Sequence, residues 1–129
     1  MSAKIGDPVL ERLRSICLNL PEAEERVSFG PPIFHTKKAF ACYGASLKGE
    51  PDNDRYAQSV VFRPTSDEHV ALSRHPAVFV SAYWGPSGWL GYDLSGAPDW
   101  DEVRELIEDS YRNTASKRLV AALNRSQPS

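Results

Sequence analysis

The chain has 129 residues, of which 41% are hydrophobic and 25% charged, with a net charge of −2. This is one domain's worth, able to bury roughly two-thirds of the surface its unfolded chain exposes, in the ordinary range of globular composition. No run approaches the roughly 20 apolar residues of a membrane span, and the missing basic surplus argues against a general nucleic-acid binder.

Asp7-Pro8 opens a helix of about 13 residues, since Asp caps well and Pro suits the first helical position. Val9, Leu10, Leu13, Ile16, Cys17 and Leu20 recur at helical spacing, and Pro21 ends the element. From Glu22 the period changes. IFHT (33–36), KKAFACYGA (37–45) and YAQSVVFRP (56–64) read as strands, with His35-Thr36-Lys37-Lys38 as the turn between the first two. Residues 47–55 form a polar loop. In the third strand Val60 and Phe62 share one face and Val61 and Arg63 the other.

Thr65 and Glu68 have capping-box spacing, so a short helix is expected to run to about Arg74 before Pro76. AVFVSAYW and GWLGYDLSG follow as two strands around Gly85-Pro86-Ser87-Gly88. Asp99 then caps the longest helix, with Glu102 at capping-box spacing, and its apolar pattern resumes at Leu119, Val120 and Leu123. Residues 99–111 hold six carboxylates against one arginine, and 112–129 hold four cations. This order complements the helix dipole or marks a basic patch. The order is α-βββ-α-ββ-α in a single domain spanning 1–129, with a core at about 8–123 and frayed ends.

Motifs for chemistry are sparse. Gly85, Gly88 and Gly91 give GxxGxxG, but strand-like residues follow where a phosphate cradle needs a helix start. The glycines fit a hairpin better, with Gly91 at a bulge or close contact. Cys17 and Cys42 lack the number and spacing of a disulfide framework or a metal site, and are expected to be buried and reduced. No pair among His35, His69 and His75 has metal-ligand spacing, so no metal and no cofactor are expected. No nucleophile, base and orienting group can be named together, so no catalytic residue is assigned. The N-terminus lacks a secretory pattern, which makes the cytoplasm the default location, and with no apolar span no membrane partner is expected.

Several stretches together resemble the MmcQ/YjbR family. These are LPEAEERVSFGPPIFHTKKAFACY (20–43), VVFRPT (60–65), YWGPSGWLGYDL (83–94) and PDWDEVRELIEDSYRNTASKRLVAAL (98–123). The resemblance implies an α+β two-layer sandwich like that of secretion chaperones, with helices packed on one side of a five-stranded antiparallel sheet. It also implies DNA binding through two hairpin wings. Lys37 and Lys38 sit in one wing. In the other, Trp84 and Trp89 flank a stretch that lacks the family's usual lysine, which removes a phosphate contact. The nucleic-acid reading therefore rests on Lys37, Lys38, Trp84 and Trp89, extended by Arg112, Lys117 and Arg118. The alternative is a protein-interaction or small-ligand module using the aromatic hairpin or the exposed sheet face. The sequence leaves the oligomeric state open.

Overall fold

The structure, a computed structural model, describes residues 8–27, 32–44, 58–80, 88–96 and 98–126. Helix α1 spans Pro8–Leu18; Asp7, its expected cap, lies outside the described residues. Strands β1 (Glu24–Arg26), β2 (Ile33–His35), β3 (Ala39–Tyr43) and β4 (Ser59–Phe62) follow. Helix α2 (Ser66–Leu72) precedes β5 (Val78–Phe79) and β6 (Leu90–Asp93). Helices α3 (Trp100–Thr114) and α4 (Lys117–Ser126) close the chain. No described helix is long and apolar enough to cross a membrane.

The sheet is antiparallel in the order β1-β2-β3-β4-β6-β5. Six strands replace the five expected. The extra one is β1, whose Glu-Glu-Arg carries no apolar alternation to betray it. It is held from outside instead. The Arg14 guanidinium of α1 grips Glu25 with two bonds of 2.6 and 2.9 Å, and also pairs with Glu11. Glu25 keeps the Arg14 guanidinium protonated well above its ordinary range.

The expected long terminal helix is two helices. Ala115 is extended (ψ 164°), which ends α3. The Thr114 hydroxyl bonds back to the Ser110 carbonyl at 2.9 Å, and the Ser116 hydroxyl accepts the Leu119 N–H at 3.4 Å at the start of α4. A hydroxyl one residue before Lys117 thus makes a new helix start out of what reads as one period. The Thr65–Glu68 capping box of α2 is present in both directions, at 3.2 and 2.9 Å.

The main core lies between the sheet and the helices. Leu10, Leu13 and Cys17 of α1, Val103, Ile107 and Tyr111 of α3, and Leu119 and Leu123 of α4 meet Phe34, Val60, Phe62, Leu90 and Tyr92. Burial pushes the Cys17 thiol well above its ordinary range, so it packs as a protonated hydrophobe. A second cluster of Cys42, Val61, Phe79 and Trp89 lies on the other face, as the pleat requires for Val61 between Val60 and Phe62.

Two departures from plain strand geometry matter. First, the β2–β3 register passes from Phe34–Ala41 to His35–Ala39. Phe40 is therefore the extra residue of a β-bulge. Simple alternation would place it with Cys42; the bulge turns it toward the helices with Ala41 and Tyr43, where its ring meets Tyr111 edge-on at 5.3 Å. Second, the Phe79 ring lies on Gly91, directly across the β5–β6 pair. A Cβ on Gly91 would stand 2.4 Å from Phe79 Cζ. Gly91→Ala is expected to destabilise the fold by about 1–3 kcal/mol through overpacking. Chemical denaturation of Gly91→Ala, Phe79→Leu and the double variant checks this: the penalty should shrink when the ring is gone.

Candidate functional site

The β2–β3 turn is closed by the Thr36 N–H donating to the Lys38 carbonyl at 3.1 Å, while His35 Nδ1 lies 2.6 Å from the Thr36 carbonyl. This holds Lys37 and Lys38 exposed at the tip. At the α3–α4 junction, Arg118 projects from the first turn of α4. These segments, some 80 residues apart in sequence, line one groove of about 800 Å³. Its walls include Glu22, Thr114 and Ser116 besides Lys37, Lys38 and Arg118. Three cations against two carboxylates, Glu22 and Glu24, leave the groove with a surplus of one positive charge, and with a helix start beside it the groove suits an anion.

Glu22 forms the third wall. It follows Pro21 in the turn after α1, where the Ala23 N–H returns to the Leu20 carbonyl at 3.2 Å. The Tyr111 hydroxyl donates to the Pro21 carbonyl at 2.6 Å. Burial, reinforced by the Glu22 charge, pushes the Tyr111 phenol up, so it remains a donor at neutral pH. The Glu22 carboxylate accepts two bonds from the Arg118 guanidinium, at 2.9 and 3.2 Å. Those bonds hold the Glu22 carboxyl below the usual carboxylate range.

The other candidates part company with this groove. Arg112 donates to Asp109 Oδ1 at 3.1 Å and to Asn124 Oδ1 at 3.2 Å, tying α3 to α4. Lys117 is exposed at the first position of α4, between the groove residues Ser116 and Arg118, without lining the groove itself. Trp89 is only 6% exposed and packs with Phe79, Val61 and Cys42, because its place two residues before Gly91 turns it to the second sheet face. A base or partner stacking on this ring would need it open, so the interface proposed below omits it. Trp84 lies outside the described residues.

A second polar cluster was not legible in the sequence. Asp99 caps α3, accepting from the Asp101 and Glu102 N–H groups at 3.1 and 3.2 Å. The Glu102 carboxylate, placed by spacing for a capping box, instead accepts from the Tyr92 hydroxyl at 2.7 Å and lies 3.0 Å from His75 Nε2. His75 Nδ1 accepts the Ala77 N–H at 3.0 Å, which leaves the neutral ring's proton on Nε2. Burial and the bond to Glu102 push the Tyr92 phenol up. The cluster ties α3 to β6 and to the segment before β5, which is a packing role. Among the described residues, no group of three or more His, Cys, Asp or Glu could hold a metal ion.

Comparison with known proteins agrees with the architecture. The family model described as YjbR matches residues 18–113. The crystal structure of a Deinococcus radiodurans protein with the family-model domain DUF419 superposes with a TM-score of 0.63 at 18% identity. The match covers 91% of this chain and 86% of that one. At such identity the likeness speaks for the fold alone. No curated protein matches the chain.

Proposed function

The chain belongs to the YjbR family, and from that premise we propose that it is a nucleic-acid-binding module, with DNA as the expected partner. It would act as a single domain in the cytoplasm, engaging backbone phosphate through Lys37, Lys38 and Arg118. The observation that supports this reading is the convergence of those three cations on one groove. Lys117 extends the cationic rim along α4. The turn lysines serve as mobile point charges and Arg118 as a planar fork for two phosphate oxygens. The contacts proposed are to phosphate, so the binding would be sequence-independent and electrostatic. Against a chain of net charge −2, the groove carries a surplus of one positive charge, with Lys37 and Lys38 exposed at its rim, which is the local attraction this reading draws on.

The test is a salt titration with a labelled random duplex and a single strand. Binding should fall steeply between about 50 and 200 mM salt, and Lys37→Ala with Lys38→Ala should lower the slope of log K against log salt by roughly two units on duplex. Arg112→Ala should leave that slope unchanged. A signal insensitive to salt would sink the reading. The groove volume favours one second reading, a small-ligand module, since about 800 Å³ falls within the usual range of roughly 300–1,000 Å³ for such sites.

A further inference from the structure

Glu22 has a φ of +57°, which no other described non-glycine residue shares in sign. An L-residue in this left-handed region is strained unless its surroundings hold it there. Here the turn is pinned on both sides, by Tyr111 at the Pro21 carbonyl and by the Ala23–Leu20 bond. The outcome is a carboxylate carried to Arg118, 96 residues away in sequence. Both side chains remain largely exposed, at 60% and 68%. Such a pair is screened by solvent and opens readily. Its geometry is also informative. Two oxygens on one guanidinium fork is the arrangement that a phosphate would make at the same place.

We propose that Glu22 is an internal stand-in for the ligand's phosphate, occupying the Arg118 fork in the free protein and displaced when a phosphate oxyanion enters beside Lys37 and Lys38. This inference rests on the phosphate-binding reading above. It makes Glu22 a specificity-determining residue. A carboxylate ligand exchanges like for like at Arg118 and gains little. A phosphate brings further oxygens for the two lysines while releasing Glu22 to water. The strained turn keeps the competitor in place, because its carboxylate stays near the fork after each displacement.

The experiment is calorimetric titration of the full chain with two probes: inorganic phosphate, and a short single strand lacking terminal phosphates. Wild type, Glu22→Gln, Arg118→Gln and the Glu22→Gln/Arg118→Gln double variant are compared. Glu22→Gln should bind roughly three- to fivefold more tightly than wild type, the scale of one exposed ion pair, and the gain should vanish in the double variant. Tightening toward inorganic phosphate identifies a free phosphate as the ligand chemistry; tightening toward the strand alone identifies the diester backbone. Equal or weaker binding by Glu22→Gln of a probe that wild type binds overturns the stand-in and spares the groove. A gain that persists without Arg118 overturns it too, since it would report only net charge. No binding of either probe by wild type or Glu22→Gln overturns both readings. Glu22→Gly, which adopts the same φ without strain, replaces the glutamine variant if melting shows that the latter folds poorly.

Discussion

Phe40→Ala is expected to destabilise the protein by about 3–5 kcal/mol, a loss of roughly 10–20 °C in Tm for a chain of this size. The ring is fully buried and sits edge-on to Tyr111. Its removal opens a cavity between sheet and helices and forfeits the aromatic contact. The bulge should raise the penalty toward the upper end of that range. Phe40 is the residue that holds the extra backbone unit of β3 against α3. With alanine there, the bulge keeps only the Ser110 bond to its backbone carbonyl, and the turn that carries Lys37 and Lys38 is aimed less firmly. Chemical denaturation measures the first effect. The second shows as weakened phosphate binding at temperatures where the variant is still folded. A variant with wild-type stability would mean that the Phe40 pocket collapses freely, contrary to the packing described.

Ser110→Ala carries the second large effect, about 2–4 kcal/mol, or roughly 7–15 °C in Tm. Ser110 lies one turn before the end of α3 and is completely buried. Its hydroxyl donates to the Phe40 carbonyl at 2.6 Å and accepts the Arg63 N–H at 2.8 Å. One oxygen therefore closes two backbone groups, at the bulge of β3 and just past the end of β4. Alanine removes only the hydroxyl oxygen and leaves both groups without that partner in a place water reaches poorly. The neighbouring Asn113 bond to the Arg63 carbonyl at 2.8 Å remains and limits the damage. Ser110→Thr tests the assignment. It keeps the hydroxyl but adds a methyl to a full site, so it should fall between wild type and alanine. An alanine variant within 0.5 kcal/mol of wild type, roughly the scatter of neutral substitutions, would refute the two-handed role.

These two residues show where reading the sequence stops. The β2–β3 hairpin was legible because turn residues interrupt two aromatic-rich runs, and the Val60/Phe62 and Val61 faces followed from the pleat. Gly91 as a close contact was legible because glycine between Leu90 and Tyr92 has few other uses in a strand. The bulge was not. Alternation is a rule about regular strands, and KKAFACY reads the same with or without an extra residue. Ser110 gives no sign of its role in the sequence, where it falls beside Ile107 and Tyr111 at helical spacing, since its partners are backbone atoms that carry no residue identity. The break before α4 left a trace, a serine ahead of Lys-Arg-Leu, but the resuming apolar period masked it.

The candidate site divides in the same way. Lys37, Lys38 and Arg118 could be named as cations, since charge is visible in one dimension. That they share a groove, while Arg112 turns away to Asp109 and Asn124, depends on the α3–α4 break and on the bulge together. Glu22 had no signal beyond its place after Leu-Pro. Its backbone conformation comes from Tyr111, 89 positions later. Trp89 illustrates the converse: an aromatic near a hairpin suggests exposure, but the β4–β6 register, which pairs Gly91 with Val61, puts it on the face of Val61 and Cys42, where it is buried.

The charged edge strand has a consequence for how the sheet ends. Without β1, the sheet would end at Ile33-Phe34-His35, an apolar ribbon whose free backbone groups invite a second copy to add its own strand. Glu24, Glu25 and Arg26 cap that ribbon with charged residues whose water a further strand would have to strip, and the Arg14 clamp keeps the cap seated. At the opposite edge β5 is only two residues long. Each border thus refuses further growth by its own means, one through charge and one through brevity. Weakening the clamp would expose a growth point for aggregation well before it threatened the core.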